Sequence, residues 1–251
     1  MEFIGNIARK TGDSSLLAVE AAKTERAGEI GRDSGLFYVP KVLNFDEQTG
    51  ELDFERVRGL VTLLEMAVRK DERLSGLLRR AGEALAVVHE QLVLPEDMKY
   101  ALPSEWMDSP DVNVFVHGDF TLRNLCFHEI SGQLVILDWS AAPYLGRSGT
   151  YGSRFFDIIW FVNYIFLAVP RACLFNWDAP NMADVFLSGY AERHPEMIGR
   201  LSRDFAPLMR RCYRKTVWCL AQQRPWWKAT RYLLYQLLIY PRFAYYRLEQ
   251  G

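Results

Sequence analysis

Apolar positions along this chain change their period several times, and the changes mark out its elements. Phe3-Ile4-Gly5-Asn6-Ile7-Ala8-Arg9-Lys10 reads as one short strand ended by Thr11-Gly12-Asp13. Asp13 or Ser14 then caps a helix from about Leu16 to Gly31, whose apolar positions Leu16, Val19, Ala22, Ala27 and Ile30 are only loosely helical in spacing. Val42, Leu43 and Phe45 predict a strand, 46–50 a turn, and Glu51–Val57 alternates as its half-buried partner. Beyond Gly59 the period becomes helical. Leu60–Ala67 predicts a short helix. Leu77, Leu78, Ala81, Leu85, Val88, His89 and Leu92 form one apolar face of a longer one that Pro95 ends. Val112–Val116 and Gln133–Leu137 predict two short strands joined through the Ser131-Gly132 turn. Phe155–Leu167 is apolar nearly all round but falls short of the roughly 20 residues that span a bilayer, so it predicts a buried helix. Two or three further helices fill the rest, broken near Pro180, Pro195, Pro225 and Pro241.

Composition changes this picture little, and charge changes it more. At 251 residues, 49% hydrophobic and 24% charged, the chain suits one large globular domain or two small ones. Cys126, Cys173, Cys212 and Cys219 form no CxxC pair, and the first residues lack the pattern of a secretory leader. Free thiols and a cytoplasmic location are therefore expected. The net charge of −1 hides a split: residues 200–251 carry about +9 and residues 1–199 about −10. The basic C-terminal region also holds Trp218, Trp226, Trp227, Tyr232, Tyr235, Tyr240, Tyr245 and Tyr246. Solvated helix faces over an aromatic core account for it, and peripheral contact with an anionic surface is the alternative. No clear nucleic-acid signature accompanies it.

Candidate chemistry gathers at the ends of the two middle strands. Asp119 and Asn124 lie five apart in Val116-His117-Gly118-Asp119-Phe120-Thr121-Leu122-Arg123-Asn124-Leu125, and Asp138 follows the next strand in Ile136-Leu137-Asp138-Trp139. Oxygen-bearing side chains at loop ends suit a hard cation such as Mg²⁺, which takes oxygen ligands and shares them with phosphates.

The string His117-Gly118-Asp119-x4-Asn124, with Asp138 nineteen residues after Asp119, resembles the catalytic core of aminoglycoside phosphotransferases and choline-kinase-like enzymes, small-molecule relatives of the protein kinases. Leu85-Ala86-Val87-Val88-His89 is similar to the helix that precedes that core, and Asp157 matches a later Asp of the family. The resemblance spans roughly residues 36–165. It implies an α+β, protein-kinase-like two-lobed fold: a truncated small β lobe over 1–58 and a mostly helical C-terminal lobe over 59–251. It further implies an ATP- or GTP-dependent, Mg²⁺-dependent phosphotransferase acting on a hydroxyl of a small molecule. Asp119 would then meet the acceptor hydroxyl, and Asn124 and Asp138 would hold metal. His117 is expected to orient the loop rather than to take a proton, and Asp157 to anchor it by accepting backbone N–H bonds. Arg123 and Trp139 flank the carboxylates and are candidates for acceptor contact, while Gly146–Arg154 either lines the acceptor site or forms a loop. Glu55-Arg56-Val57-Arg58-Gly59 resembles the hinge between lobes, where backbone at Glu55 and Val57 would meet the base.

The front of the chain departs from the family. A strand lysine there contacts phosphates and pairs with a helix glutamate. Lys10 fits that place, with Glu20 and Glu25 as alternative partners and Arg9 as a poorer substitute for the lysine. Too few residues precede Lys10 for a glycine-rich hairpin, so an abbreviated small lobe is expected. Two other function classes follow from this departure and from the basic tail. One is a non-catalytic, kinase-like binding protein, and the other a kinase with a protein or glycolipid acceptor.

Overall fold

In the computed structural model, which describes residues 1–103, 113–140, 142–144, 147–167, 170, 173 and 176–195, the chain opens on a hairpin rather than the single strand expected. Strands β1 (Glu2–Ile4) and β2 (Ile7–Thr11) pair antiparallel with Ile4 opposite Ile7. Gly5, at φ 59°, supplies the left-handed first position that a two-residue hairpin turn needs. Successive side chains on β2 point to opposite faces. Ala8 and Lys10 line a cleft, while Arg9 turns away into a fork with Asp53 at 2.7 and 2.8 Å and an ion pair with Glu51 at 2.8 Å. Arg9 therefore cannot replace Lys10.

Helix α1 (Ser14–Ser34) begins where the Asp13 carboxylate accepts the Leu16 N–H at 3.1 Å, and Gly35 closes it. Strands β3 (Val42–Asp46) and β4 (Glu51–Glu55) form the expected hairpin. The antiparallel sheet β1-β2-β4-β3 buries Leu52 against Leu17 and Ala21 of α1. These residues make a small core of their own.

The segment expected as one helix over Leu60–Ala67 divides. Strand β5 (Leu60–Thr62) leads into α2 (Leu63–Arg69), because Thr62 and Glu65 form a reciprocal capping box that fixes the helix start. Helix α3 (Leu74–Gln91) follows as its periodicity predicts. The expected pairing of the two middle strands does not form. Strand β6 (Asn113–Phe115) is followed by β7 (Leu125–His128) and β8 (Gln133–Ile136), and the Ser131-Gly132 turn joins β7 to β8 in a sheet ordered β5-β7-β8. Three consecutive buried residues in β7 leave no alternation to read. The stretch after Asp138 is not a plain loop: β9 (Ala142–Tyr144) pairs with β10 (Arg147–Gly149), and β11 (Tyr151–Ser153) pairs with β6.

Helix α4 (Phe155–Leu167) is buried, as its apolar circumference requires. Helix α5 (Ala179–Arg193) carries Pro180 in its first turn, where the missing N–H costs nothing, so that proline starts the helix instead of breaking one. Glycines let α3 and α5 approach closely: a Cβ on Gly82 would lie 2.1 Å from the Phe186 carbonyl oxygen, and one on Gly189 2.1 Å from that of Arg79. The main core lies among α3, α4, α5, β7 and β8. The first sheet is tied to it at Tyr38, whose N–H donates to Leu134 O at 2.8 Å and whose carbonyl accepts from Ile136 N–H at 2.9 Å. Among the described residues no helix is long and apolar enough to cross a membrane, and Cys126 and Cys173 are free thiols. Cys212, Cys219, Pro225, Pro241 and the basic aromatic region lie outside the described residues.

Candidate active site

The loop after β6 is held from below by one buried carboxylate. Asp157, in the first turn of α4, accepts the His117 N–H at 2.7 Å on Oδ2 and the Gly118 N–H at 2.8 Å on Oδ1. His89 of α3 reaches Oδ2 through Nε2 at 3.0 Å, and its Nδ1 faces the Tyr190 hydroxyl at 2.9 Å. Burial alone would raise the Asp157 pKa. The hydrogen bond from His89, with the backbone N–H bonds from His117 and Gly118, outweighs burial and holds it below the usual carboxylate range. His117 is fully buried between Phe120 and Trp139, and burial pushes its imidazole down to about 4. It is neutral at pH 7. Nδ1 accepts the Asp119 N–H at 3.2 Å, which leaves the proton on Nε2 to donate to Leu137 O at 3.2 Å. That one ring thus spans the residue before Asp138 and the backbone of Asp119.

Asp119 is set by two donors. Asn124 Nδ2 gives 2.8 Å bonds to the Asp119 carbonyl and to Oδ2, and the indole N–H of Trp160 donates to Oδ1 at 2.9 Å. Burial raises the pKa of Asp119 against the pull of these donors. Because Nδ2 of Asn124 is spent on Asp119, its carbonyl oxygen is the atom that could coordinate a cation. Asp138 follows β8 at φ 59°, a left-handed backbone that Asp tolerates better than most residues with a Cβ. Its Oδ1 accepts from Lys10 Nζ at 3.1 Å, and the same ammonium lies 2.8 Å from both oxygens of Glu20. Burial works against the Lys10 charge, yet Glu20 and Asp138 overcome it and raise its pKa. Glu25, the alternative partner, sits on an exposed position of α1 while Glu20 takes the lysine.

Lys10, Glu20, Asn124 and Asp138 line one cleft of about 410 Å³ between the two sheets. Glu55, Arg56 and Val57 line it from the end of β4 and the connection that leads to β5, and Glu55 is fixed by the Tyr38 hydroxyl. Among the described residues no cluster of three or more His, Cys, Asp or Glu side chains could hold a metal. One carboxylate and one amide oxygen, Asp138 and Asn124, nevertheless fit Mg²⁺, which keeps several waters and borrows phosphate oxygens instead of needing an all-protein cage.

Two expected acceptor contacts separate. Arg123 is exposed near the Asp119 loop and hydrogen-bonds the Tyr164 phenol. Trp139 lines the cleft but is only 1% exposed: its ring lies against Phe37 and His117, and its N–H donates to Ile136 O. An indole this large following a strand end is drawn into the core. Sequence reasoning missed Trp160, hidden in an apolar helix, where its position three after Asp157 was the only signal. It also missed Lys23, a wholly buried lysine on α1.

The small antiparallel sheet packed on α1, followed by α3, α4 and α5 with the loops that bear Asp119 and Asp138, makes a protein-kinase-like fold. Two solved structures have it as well. One is a choline/ethanolamine kinase family protein from Mesorhizobium loti, 18% identical, with a TM-score of 0.54 over 96% of this chain and 85% of that one. The other is a glucosamine kinase, 14% identical, with a TM-score of 0.51 over 96% of this chain and 72% of that one. At such identities the likeness is one of fold. No family model and no curated protein matches the sequence.

Proposed function

We propose that the protein is a phosphotransferase that moves the γ-phosphoryl group of ATP or GTP to a hydroxyl of a small molecule, with Mg²⁺ required. The observation that carries this reading is convergence. Lys10, Glu20, Asn124 and Asp138 come from four separate elements to line one cleft, and Asn124 links that cleft to Asp119. Lys10, steadied by Glu20, would meet the nucleotide phosphates, and backbone at Glu55 and Val57 would meet the base. Asp138 and the Asn124 carbonyl would hold Mg²⁺, which supplies neutralisation of phosphate charge. Asp119 receives the acceptor hydroxyl: its oxygen forms the new P–O bond in line as the bond to the leaving nucleoside diphosphate breaks, and its proton passes to the Asp119 carboxylate. The chemistry is mostly position and electrostatics, which is why the neutral His117 and the buried Asp157 serve to fix a loop and not to react. Arg123, exposed near the Asp119 loop, is the side chain that would contact the acceptor.

Purified protein incubated with Mg-ATP and a panel of sugars, amino alcohols and aminoglycosides should release ADP with at least one acceptor. Asp119→Ala and Asp138→Ala should each lower that rate by about 10²-fold or more. A wild type that turns over none of them, with either nucleotide, would sink the reading. Phosphate appearing on added protein or glycolipid instead would move the acceptor class and leave the roles of Asp119 and Asp138 intact.

A further inference from the structure

Lys23 sits one helical turn after Glu20 on α1 and is wholly buried. Its ammonium donates to two backbone carbonyls, His117 O at 2.8 Å and Ser140 O at 2.8 Å. His117 lies two residues before Asp119, and Ser140 two residues after Asp138. One charge thus joins the segment that presents the acceptor carboxylate to the segment that presents the metal carboxylate. The same turn of α1 holds the Lys10–Glu20 pair, and Thr24 Oγ1 donates to Glu20 O at 2.7 Å.

Packing alone does not call for a lysine here. A Met of similar length would fill the space without carrying a charge into the interior. Burial pushes the Lys23 pKa down to about 8, even with Asp157, Glu20 and Asp138 supporting the charge. The ammonium is therefore held in the fold at a cost, and its two short bonds to carbonyls are what it does there.

We propose that Lys23 is a positioning residue that clamps the Asp119 and Asp138 loops to each other and to α1. Helix α1 carries Glu20, which holds Lys10 of β2, so the clamp keeps both loops in register with that pair; when it is lost, the two halves of the site are free to drift. The consequence for turnover rests on the phosphotransferase reading above. The clamp itself does not.

Lys23→Met tests both. Turnover should fall about 10- to 100-fold in kcat with KM for the nucleotide changed less than about threefold, as expected for misplacement of groups rather than loss of binding. Folding should survive with a lowered unfolding temperature, because relief of the buried charge offsets in part the two carbonyls left without their donor. Glu20→Gln combined with Lys23→Met should be less impaired than the product of the two single effects, since both act through α1. Independently of turnover, amide exchange across residues 117–124 and 138–140 should quicken about tenfold or more while α3 and α5 stay protected. If the wild type proves inactive, the phosphotransferase reading fails and the exchange measurement alone decides the clamp. Unchanged exchange in both loops, or kcat within twofold of wild type, overturns it. Should Lys23→Met not fold, Lys23→Gln, whose amide can serve one carbonyl, takes its place with an intermediate kcat expected. If neither variant folds, Lys23 is a stability residue and the proposal is wrong.

Discussion

His117 shows how much of this site depends on a proton that never moves. Its ring bonds require the neutral Nε2–H form, and burial keeps it in that form down to about pH 4 against an ordinary value of 6.5. The sign of the linkage follows. Between pH 6.5 and about 4 the unfolded chain binds a proton that the folded chain refuses, so the stabilisation present at neutral pH is lost as pH falls. A gap of 2.5 units corresponds to about 3 kcal/mol. His89 is shifted in the same direction by its burial. Comparing urea unfolding at pH 7 and pH 4.5, wild type should lose about 2 to 3 kcal/mol more than His117→Gln, which has no such proton to take up. Equal losses in the two proteins would mean that His117 is already charged in the fold. At this scale the sequence was legible where partners are neighbours. Asp119 and Asn124 meet across five residues, and their spacing announced them. Lys23 was not legible, because Glu20 and Lys23, three apart on a weakly amphipathic helix, look the same as a solvated polar stripe.

Elements test the same point through glycine. Gly82 lies where α3 crosses α5, and a Cβ there would meet the Phe186 carbonyl oxygen at 2.1 Å and the Tyr190 nitrogen at 2.6 Å. Both are backbone atoms, so nothing short of moving a helix relieves the contact. Gly82→Ala should cost about 2 to 3 kcal/mol or more in chemical denaturation, even though alanine is intrinsically the better helix former by about 1 kcal/mol. Gly28 lies within α1 with nothing within 4 Å of its added Cβ. Gly28→Ala should therefore gain about 0.5 to 1 kcal/mol. The opposite signs are the prediction; a loss at both positions would show that α1 is packed more tightly than its geometry indicates. Sequence periodicity found α3 because its apolar face is long and regular, and an unbroken apolar run revealed α4. It missed β5 and β7, each of three or four residues, whose existence is decided by each other rather than by local pattern. The first hairpin was lost for a similar reason: Ile4, Ile7 and Ala8 read as one strand until Gly5 reverses the chain.

For the whole molecule the cleft matters more than any element that borders it, because one side comes from the first 60 residues and the other from residues 124–139. Lys10 and Asp138 are 128 residues apart in sequence and hydrogen-bonded at 3.1 Å. Nothing within a short window of sequence encodes that meeting; the fold supplies it through the Tyr38 link between sheets and the packing of α1. Binding in such a cleft must stabilise the fold by mass action. Mg-ATP at 100 times its dissociation constant adds about 2.7 kcal/mol, which for a chain of this size raises the unfolding temperature by roughly 5 to 10 °C. Lys10→Met removes the ammonium that would meet the phosphates and leaves Glu20 and Asp138 facing one another without it. The shift should shrink to a few degrees or less at the same nucleotide concentration. Omitting Mg²⁺ should shrink it in the wild type as well, since Asp138 and the bound phosphates would then repel each other. If wild type and Lys10→Met respond alike to Mg-ATP, with metal present or absent, the nucleotide is bound elsewhere and the cleft serves another ligand.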